Sequence, residues 1–269
     1  MRNFVLALFL AIFSFAGVNS VCRAQKLPQP SGQNPNFTIF DERRPNINEA
    51  ASGGPSSEPR VLKKGPLAPS EDDRTSHAGF LTRPNTGLIR LLPRQFKQSK
   101  FYREPPVKIN GGGAYYSFAH LNHEYGFGSD LELGTGVVMN DGEEFPPYHY
   151  LQVGFAGYDF GMLSNLGQVP LERLTFDDPR TVFLREYKAP HAKREARGEA
   201  RRFHEGVTLN GQTYKSMLPI QVGATYLLRS INYDESDILV AFRVVREDTD
   251  ESLIIAWQML KRFSKPQLN

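Results

Sequence analysis

The residues best suited to chemistry lie between positions 111 and 128, in the stretch GGGAYYSFAHLNHEYGFG. Three consecutive glycines could wrap a phosphate group, because glycine lets backbone N–H groups approach an anion closely. His120, His123 and Glu124 could bind a metal ion if they lay on one face of a helix, where neighbours are three and four residues apart. The local structure of this stretch decides which of these chemistries is open to it.

The glycine triplet does not fit a nucleotide site. A phosphate loop continues as Gly-Lys-Ser/Thr, and a dinucleotide fingerprint has the form G-x-G-x-x-G between a strand and a helix. Gly113 is followed by Ala114, and no Gly-Lys-Ser/Thr occurs in the chain. The sequence therefore predicts no nucleotide cofactor, and it indicates a turn over 110–113 that leads into a strand.

Two patterns compete between residues 114 and 125. One is a stripe at helical spacing, formed by Ala114, Phe118, Leu121 and Tyr125. The other is strand-like, since Tyr115 and Tyr116 favour a strand and glycines stand at both ends without a strong helix cap. We predict a strand here. On a strand His120 and His123 point to opposite faces, and His120 and Glu124 lie about 13 Å apart, so no metal site is expected.

One face of this predicted strand mixes aromatic rings with hydrogen-bonding groups. Its members are Tyr116, Phe118, His120, Asn122 and Glu124. Aromatic faces offer contact area and polar tips offer specificity, so these five residues are our candidate ligand-binding set. Ordinary cross-strand packing remains the alternative.

Signatures of catalysis are absent from the sequence. There is no G-x-S-x-G nucleophile motif, and HLNHE (120–124) matches neither zinc-protease pattern. We therefore assign no catalytic residue, no metal ligand and no cofactor. A hydrolase acting through a carboxylate pair drawn from four acids stays open, because a sequence does not supply the distance between carboxyl groups. The four acids are Glu124, Asp130, Glu132 and Glu144.

The N-terminus has the pattern of a signal peptide over residues 1–24. Arg2 precedes an apolar run from Phe4 to Gly17, and Ala24 offers a small residue for cleavage. The run is shorter than the roughly 20 residues of a membrane span, so we expect no span in the mature chain. Cleavage would also remove Cys22, the only cysteine, and leave a protein without disulfides. We predict a secreted or periplasmic location.

The net charge argues against nucleic acid as a partner. The full chain carries +3, and removal of Arg2 and Arg23 would leave +1. So small an excess creates no long-range attraction for nucleic acid or for an anionic membrane.

The rest of the chain divides into a linker and one domain. Residues 25–87 are rich in Pro, Gly and Ser and lack an apolar period, so we predict a disordered linker. Residues 88–269 are predicted to form a single β-rich domain.

The predicted fold is mainly β, an antiparallel β-sandwich or curled sheet with one surface helix. A hairpin is expected over 206–214 around Asn210-Gly211, followed by strands at 224–231, 238–246 and 253–263. These strands are apolar on both faces, which predicts that both faces are covered. The segment 189–204 has helical spacing and interleaved charges, typical of a solvated helix.

Together these features favour an exported, non-enzymatic binding or interaction module with an unknown protein or glycan ligand. The secreted hydrolase is the alternative, and a purely structural role without a ligand is the third hypothesis.

Overall fold

The computed structural model describes residues 65–269 apart from positions 124, 127, 141, 142 and 156. Within this part the protein is mainly β, with antiparallel sheets and few helices, as predicted. The predicted signal peptide (1–24) and the linker as far as residue 64 lie outside the described residues.

The elements follow in chain order. The strands are β1 Thr86–Leu91, β2 Tyr115–Tyr116, β3 Leu131–Asn140, β4 Glu143–Gln152, β5 Phe160–Asn165, β6 Val207–Leu209, β7 Gln212–Tyr214, β8 Met217–Pro219, β9 Thr225–Asn232, β10 Ser236–Glu247 and β11 Leu253–Arg262. The α-helices are α1 Glu71–Ser76, α2 Ala78–Leu81, α3 Val182–Glu186 and α4 Lys193–Glu205. Short 3₁₀ turns occupy Leu171–Arg173 and Pro179–Thr181. One sheet has the order β1-β11-β10-β9-β5, a second the order β2-β3-β4-β8, and β6 pairs with β7.

The central strands are buried on both faces, as their sequence predicts. In β10, Val240 and Phe242 belong to a hydrophobic cluster that also contains Leu133 of β3 and Leu151 of β4. This inner cluster therefore unites side chains of the two larger sheets. Leu239, the neighbour of Val240, belongs to a second cluster together with residues of α3 and α4. Alternation with a period of two explains how one strand serves both clusters.

The predicted hairpin and helix are present. Asn210 and Gly211 both have positive φ, at 51° and 77°, as a tight two-residue hairpin turn requires. Helix α4 exposes most of its side chains and buries Ala196 and Phe203. It begins at Lys193 rather than near 189, because the preceding chain is extended and the Pro190 carbonyl accepts a hydrogen bond from the Tyr233 hydroxyl at 2.6 Å.

The end of the predicted linker is ordered, which corrects the prediction of disorder over residues 65–87. Ser70 caps α1 in a capping box with Asp73, and Asp73 pairs with Arg246 of β10 at 2.5 Å. Leu67 and Phe80 are buried, and β1 already begins at Thr86. Composition does not reveal this order because the stabilising contacts come from β10 and β11, far along the chain.

The β3–β4 hairpin extends beyond its neighbours in the second sheet. Strand β2 pairs with β3 only at Glu132 and Leu131, and β8 pairs with β4 only over 150–152. The outer part of the hairpin starts at the Thr135–His149 pair and has a register shift between Gly136 and Val138. Strand β3 ends at Asn140 and β4 begins at Glu143, and the two positions between them lie outside the described residues.

Candidate functional site

The stretch 114–125 is a strand only at its start, so the prediction of a continuous strand is wrong. After Tyr116 the chain turns back on itself, and Ser117 and Asn122 form an isolated bridge with backbone hydrogen bonds of 2.7 and 3.3 Å. Leu121 has a φ of 54° in this turn. Because the turn reverses the chain direction, the period of two does not hold beyond Tyr116.

The carboxylate of Asp130 holds this turn, which we name the Asp130 turn (residues 117–122 with Asp130). Its Oδ2 accepts hydrogen bonds from the backbone N–H groups of Phe118 at 2.7 Å and Ala119 at 3.2 Å. Its Oδ1 accepts one from the side-chain amide of Asn232 at 3.0 Å. Asp130 is fully buried, and this burial raises the pKa of the carboxyl to about 6 despite the hydrogen bonds that oppose the shift. The Asp130 carboxylate therefore binds backbone N–H groups that in a continuous strand would donate to a neighbouring strand.

The described members of the predicted ligand-binding set do not share a face. Tyr116 and Phe118 are buried in the inner cluster. His120 is exposed, Asn122 is half-buried, and Glu124 lies outside the described residues. A binding role for this set stays a prediction, and the structure shows no common surface among its described members.

The second histidine of the stretch is part of the core. His123 is buried, its ring packs against Tyr116 with centroids 4.8 Å apart, and its Nε2 lies 3.1 Å from the carbonyl of Arg90. Burial lowers the pKa of His123 to about 4, so the ring is neutral and Nε2 donates to that carbonyl. In the part of the chain that the structure describes, no group of three or more His, Cys, Asp or Glu side chains could hold a metal ion.

The described acids of the hydrolase hypothesis are bound by separate sets of donors. Glu132 is buried and pairs with Arg94 at 3.3 Å. Glu144 accepts hydrogen bonds from the Ser99 hydroxyl and from the Lys100 N–H at 2.9 Å, which together hold the pKa of Glu144 below its ordinary value. Asp130 holds its turn. Each of these contacts supports a structural role, and the hydrolase hypothesis itself remains untested.

A cavity of about 240 Å³ lies between the segment 94–103 and the outer part of the β3–β4 hairpin, and we name it the β3–β4 pocket. Strand β3 supplies Thr135 and β4 supplies His149 to its lining. Glu251, from the turn between β10 and β11, completes the polar part of the lining. The pocket therefore draws on segments that are far apart in the sequence.

Hydrogen bonds fasten the segment 94–103 to the hairpin. The N–H of Arg94 donates to the Leu133 carbonyl of β3 at 3.0 Å. At the other end Glu144 of β4 binds Ser99 and Lys100, as described above. The wall of the pocket is thus anchored to both strands rather than lying loosely over them.

His149 is the most informative residue of this pocket. Its side chain is only 7% exposed, and its Nδ1 lies 3.0 Å from Oγ1 of Thr135, its cross-strand partner. The Nε2 atom is buried, and among the described residues it has no hydrogen-bond partner. The nearest acceptor is the carboxylate of Glu251 at 3.4 Å, a distance that permits an electrostatic interaction rather than a good hydrogen bond. When Thr135 donates to Nδ1, the hydrogen of the neutral ring lies on Nε2.

These groups suit the binding of a hydroxyl or a similar polar group. In the tautomer that accepts from Thr135, His149 offers a donor at Nε2, and the half-exposed carboxylate of Glu251 offers acceptors. The set Thr-His-Glu also has the residue types of a nucleophile, a base and an acid. Thr135, however, is 8% exposed and stands directly opposite His149 as an ordinary cross-strand pair, so binding explains the geometry with fewer requirements.

Aromatic and cationic side chains form the opposite wall. Phe96, Phe101 and Tyr102 supply rings, while Arg94 and Arg103 supply guanidinium groups. Arg94 stacks over the ring of Phe96 at 5.1 Å and pairs with Glu132. Contact area from rings and a few placed polar groups are the usual lining of a ligand site.

Two sequence signals for this site exist, and both are weak. The segments PRQFKQSKFYR (93–103) and PPYHY (146–150) each mix rings with hydrogen-bonding side chains. A β-rich core accounts equally well for such mixtures. What distinguishes the pocket is the meeting of these two segments, and no local pattern reports that.

Comparison with protein-family models, curated proteins and solved structures finds no significant match for this chain. No helix in the described part of the chain has both the length and the apolar character needed to cross a membrane.

Proposed function

We propose that this protein is an exported binding module whose ligand enters the β3–β4 pocket, in the cell envelope or outside the cell. In this proposal the two larger sheets form a β-sandwich that serves as the platform. Export is supported by the signal-peptide pattern of residues 1–24 and the Pro-rich segment that follows it. The observation that carries the binding role is that His149 lines the pocket and that its buried Nε2 has no hydrogen-bond partner among the described residues.

The free-energy cost of leaving a buried polar atom unpaired is the reason why His149 points to a binding role. Most buried polar atoms in folded proteins have a hydrogen-bond partner, and leaving one unpaired costs about 1–3 kcal/mol. Glu251 at 3.4 Å compensates for only part of this cost. A ligand that accepts from Nε2 would satisfy the atom, and its binding would gain the interaction that the free protein lacks.

The size of the pocket limits what it holds. Pockets for drug-sized ligands measure roughly 300–1,000 Å³, and this cavity of about 240 Å³ is smaller. It is therefore suited to one ring-sized group, either a small molecule or a terminal group of a longer ligand. The lining from β3 and β4 is a part of the sheet, so the site is largely formed before the ligand arrives.

Methyl-detected NMR tests this proposal. The methyl groups of Thr135 and Val137 both belong to lining residues and report on occupancy. We would titrate the protein with methyl glycosides of neutral and acidic sugars and with N-acetyl amino-acid amides. We expect at least one compound to shift both methyl resonances and to lose this effect in His149→Leu.

The matched control is His204→Leu, since His204 is an exposed residue of α4 and does not line the pocket. It should bind as the wild type does. If no compound of the panel shifts the pocket methyl resonances, or if binding survives in His149→Leu, the β3–β4 pocket is not the ligand site.

A further inference from the structure

We propose that the ligand group in the β3–β4 pocket is a sugar residue that bears a carboxylate. This inference rests on the proposed function and adds the chemical class of the ligand. Arg103 would bind the carboxylate, the aromatic rings would face the ring of the sugar, and the His149–Glu251 pair would bind its hydroxyl groups. The three following features of the pocket support this assignment.

The first feature is the charge of the wall formed by residues 94–103. This segment, RQFKQSKFYR, contains four basic residues and no acid. Arg94 is already paired with Glu132 at 3.3 Å. Arg103 lines the pocket, is exposed, and has no ion pair with any residue that the structure describes, while its backbone N–H is held by Gln95 at 3.1 Å. Its guanidinium is therefore available for a carboxylate, which it can bind through two parallel hydrogen bonds.

The second feature is the opposite character of the lining near His149. The carboxylate of Glu251 lies 3.4 Å from Nε2 of His149. It accepts hydrogen bonds but repels a second anion. A ligand must then be negative near Arg103 and able to donate hydrogen bonds near Glu251. A ring with hydroxyl groups and one carboxylate meets both conditions, whereas a group that is anionic all around, such as a phosphate, meets only the first.

The third feature is the combination of aromatic rings with an unpaired hydrogen-bonding atom. Phe96, Phe101 and Tyr102 provide flat apolar surface, and His149 belongs to the same lining with its Nε2 unpaired among the described residues. An apolar anchor side chain of a protein partner would leave this Nε2 without a hydrogen bond, which opposes binding. A sugar presents C–H groups to the rings and hydroxyls to the polar side chains, so it is favoured over a protein ligand.

The test compares each acidic sugar with its own methyl ester. The probes are the methyl glycosides of glucuronate, galacturonate and N-acetylneuraminate, each as the free acid and as the carboxyl methyl ester. We expect at least one acid to bind about tenfold tighter than its ester, because a charged bidentate pair contributes more than a neutral hydrogen bond. This preference should disappear in Arg103→Gln, so that the acid and its ester bind with about equal affinity. Added salt should weaken binding of the acid only.

Arg201→Gln is the control, since Arg201 is an exposed residue of α4 outside the pocket lining and should keep the full preference. Equal binding of acid and ester that still depends on His149 would overturn this inference and leave the proposed function intact. If an amino-acid amide binds and none of the sugars does, this inference is also overturned while the proposed function stands. A preference for the acid that persists in Arg103→Gln would also overturn it, because another cation would then recognise the ligand.

Discussion

The Asp130 turn and the β3–β4 pocket contain the same kinds of residue and differ in whether their polar atoms have partners. His123 beside the Asp130 turn is a buried residue, and the side chain of His149 in the pocket is only 7% exposed. Nε2 of His123 is hydrogen-bonded to the carbonyl of Arg90, whereas Nε2 of His149 has no hydrogen bond within the described residues. A histidine among aromatic residues thus supports the core in one region and marks a candidate site in the other.

The acids of the two regions differ in the same way. Asp130 is surrounded by donors from Phe118, Ala119 and Asn232 and leaves no side for a ligand. Glu251 is 42% exposed and lies beside His149 at 3.4 Å. Complete pairing is thus the property of a structural group, while incomplete pairing next to a cavity marks a group that can bind.

The largest effect is expected from removal of the Asp130 carboxylate. Asp130→Ala leaves the N–H groups of Phe118 and Ala119 and the amide of Asn232 buried without an acceptor. We expect the free energy of unfolding to fall by about 4 kcal/mol, since each unpaired buried group costs about 1–3 kcal/mol and the costs overlap. Urea denaturation measures this change. Asp177→Ala removes an acid that is 88% exposed and should change stability by less than about 0.5 kcal/mol. A loss under about 1 kcal/mol in Asp130→Ala would show that Asp130 does not hold the turn.

A smaller difference should separate the two histidines. His123→Leu leaves the Arg90 carbonyl without its donor, so we expect a loss of about 1–3 kcal/mol. His149→Leu removes an atom that already lacks a hydrogen bond, and Thr135 faces a pocket where water can replace its partner. His149→Leu should change the free energy of unfolding by no more than about 1 kcal/mol, because the removal of an unpaired group offsets the loss of the hydrogen bond with Thr135. Parallel urea denaturation of both variants checks this order. Equal losses would contradict the distinction drawn between the regions.

The third effect concerns pH and His123, and it is spread over several pH units. Its folded-state pKa is about 4 and its ordinary value is 6.5, so between these values the unfolded chain binds a proton that the folded chain does not. Stability from this group is therefore complete above pH 6.5 and is lost as the pH falls, by at most about 1.4 kcal/mol per pH unit. The free-energy difference between wild type and His123→Leu should shrink from pH 6.5 to pH 4.

The opposite slope is expected from Asp130, whose raised pKa of about 6 makes the folded chain bind its proton before the unfolded chain does. Its contribution to stability therefore rises as the pH falls through this range. Because the two slopes oppose each other, the pH dependence of wild-type stability does not show the contribution of His123 by itself. The difference in unfolding free energy between wild type and His123→Leu isolates that contribution. A difference between the two proteins that stays constant from pH 6.5 to pH 4 would contradict the neutral, buried state of His123.

Much of the fold follows from local patterns. The Asn210-Gly211 hairpin and strands β9, β10 and β11 appear where the alternation of apolar residues and the turn signals place them. Helix α4 follows from helical spacing and good helix formers. In each case the deciding interactions act between residues close in sequence or repeat along one strand.

Other features depend on partners that no local pattern contains. Helix α1 is fastened by the ion pair between Asp73 and Arg246, and the turn after Tyr116 is held by Asp130 and Asn232. The candidate site has no strong local signal in the sequence, because it too is formed by segments that are far apart in the chain. Its two weak signals, at 93–103 and 146–150, gain meaning only when Glu251 and the β3–β4 hairpin bring them together.

The amino-acid sequence alone determined that the protein is mainly β and that its central strands are apolar on both faces, because burial repeats with the period of the strand. Which histidine has a hydrogen-bond partner and which acid is enclosed depends on the folded chain. Hydrogen-bond partners and cavities are properties of distances between remote segments. Nε2 of His123 reaches the carbonyl of Arg90, whereas Nε2 of His149 has no hydrogen bond within the described residues.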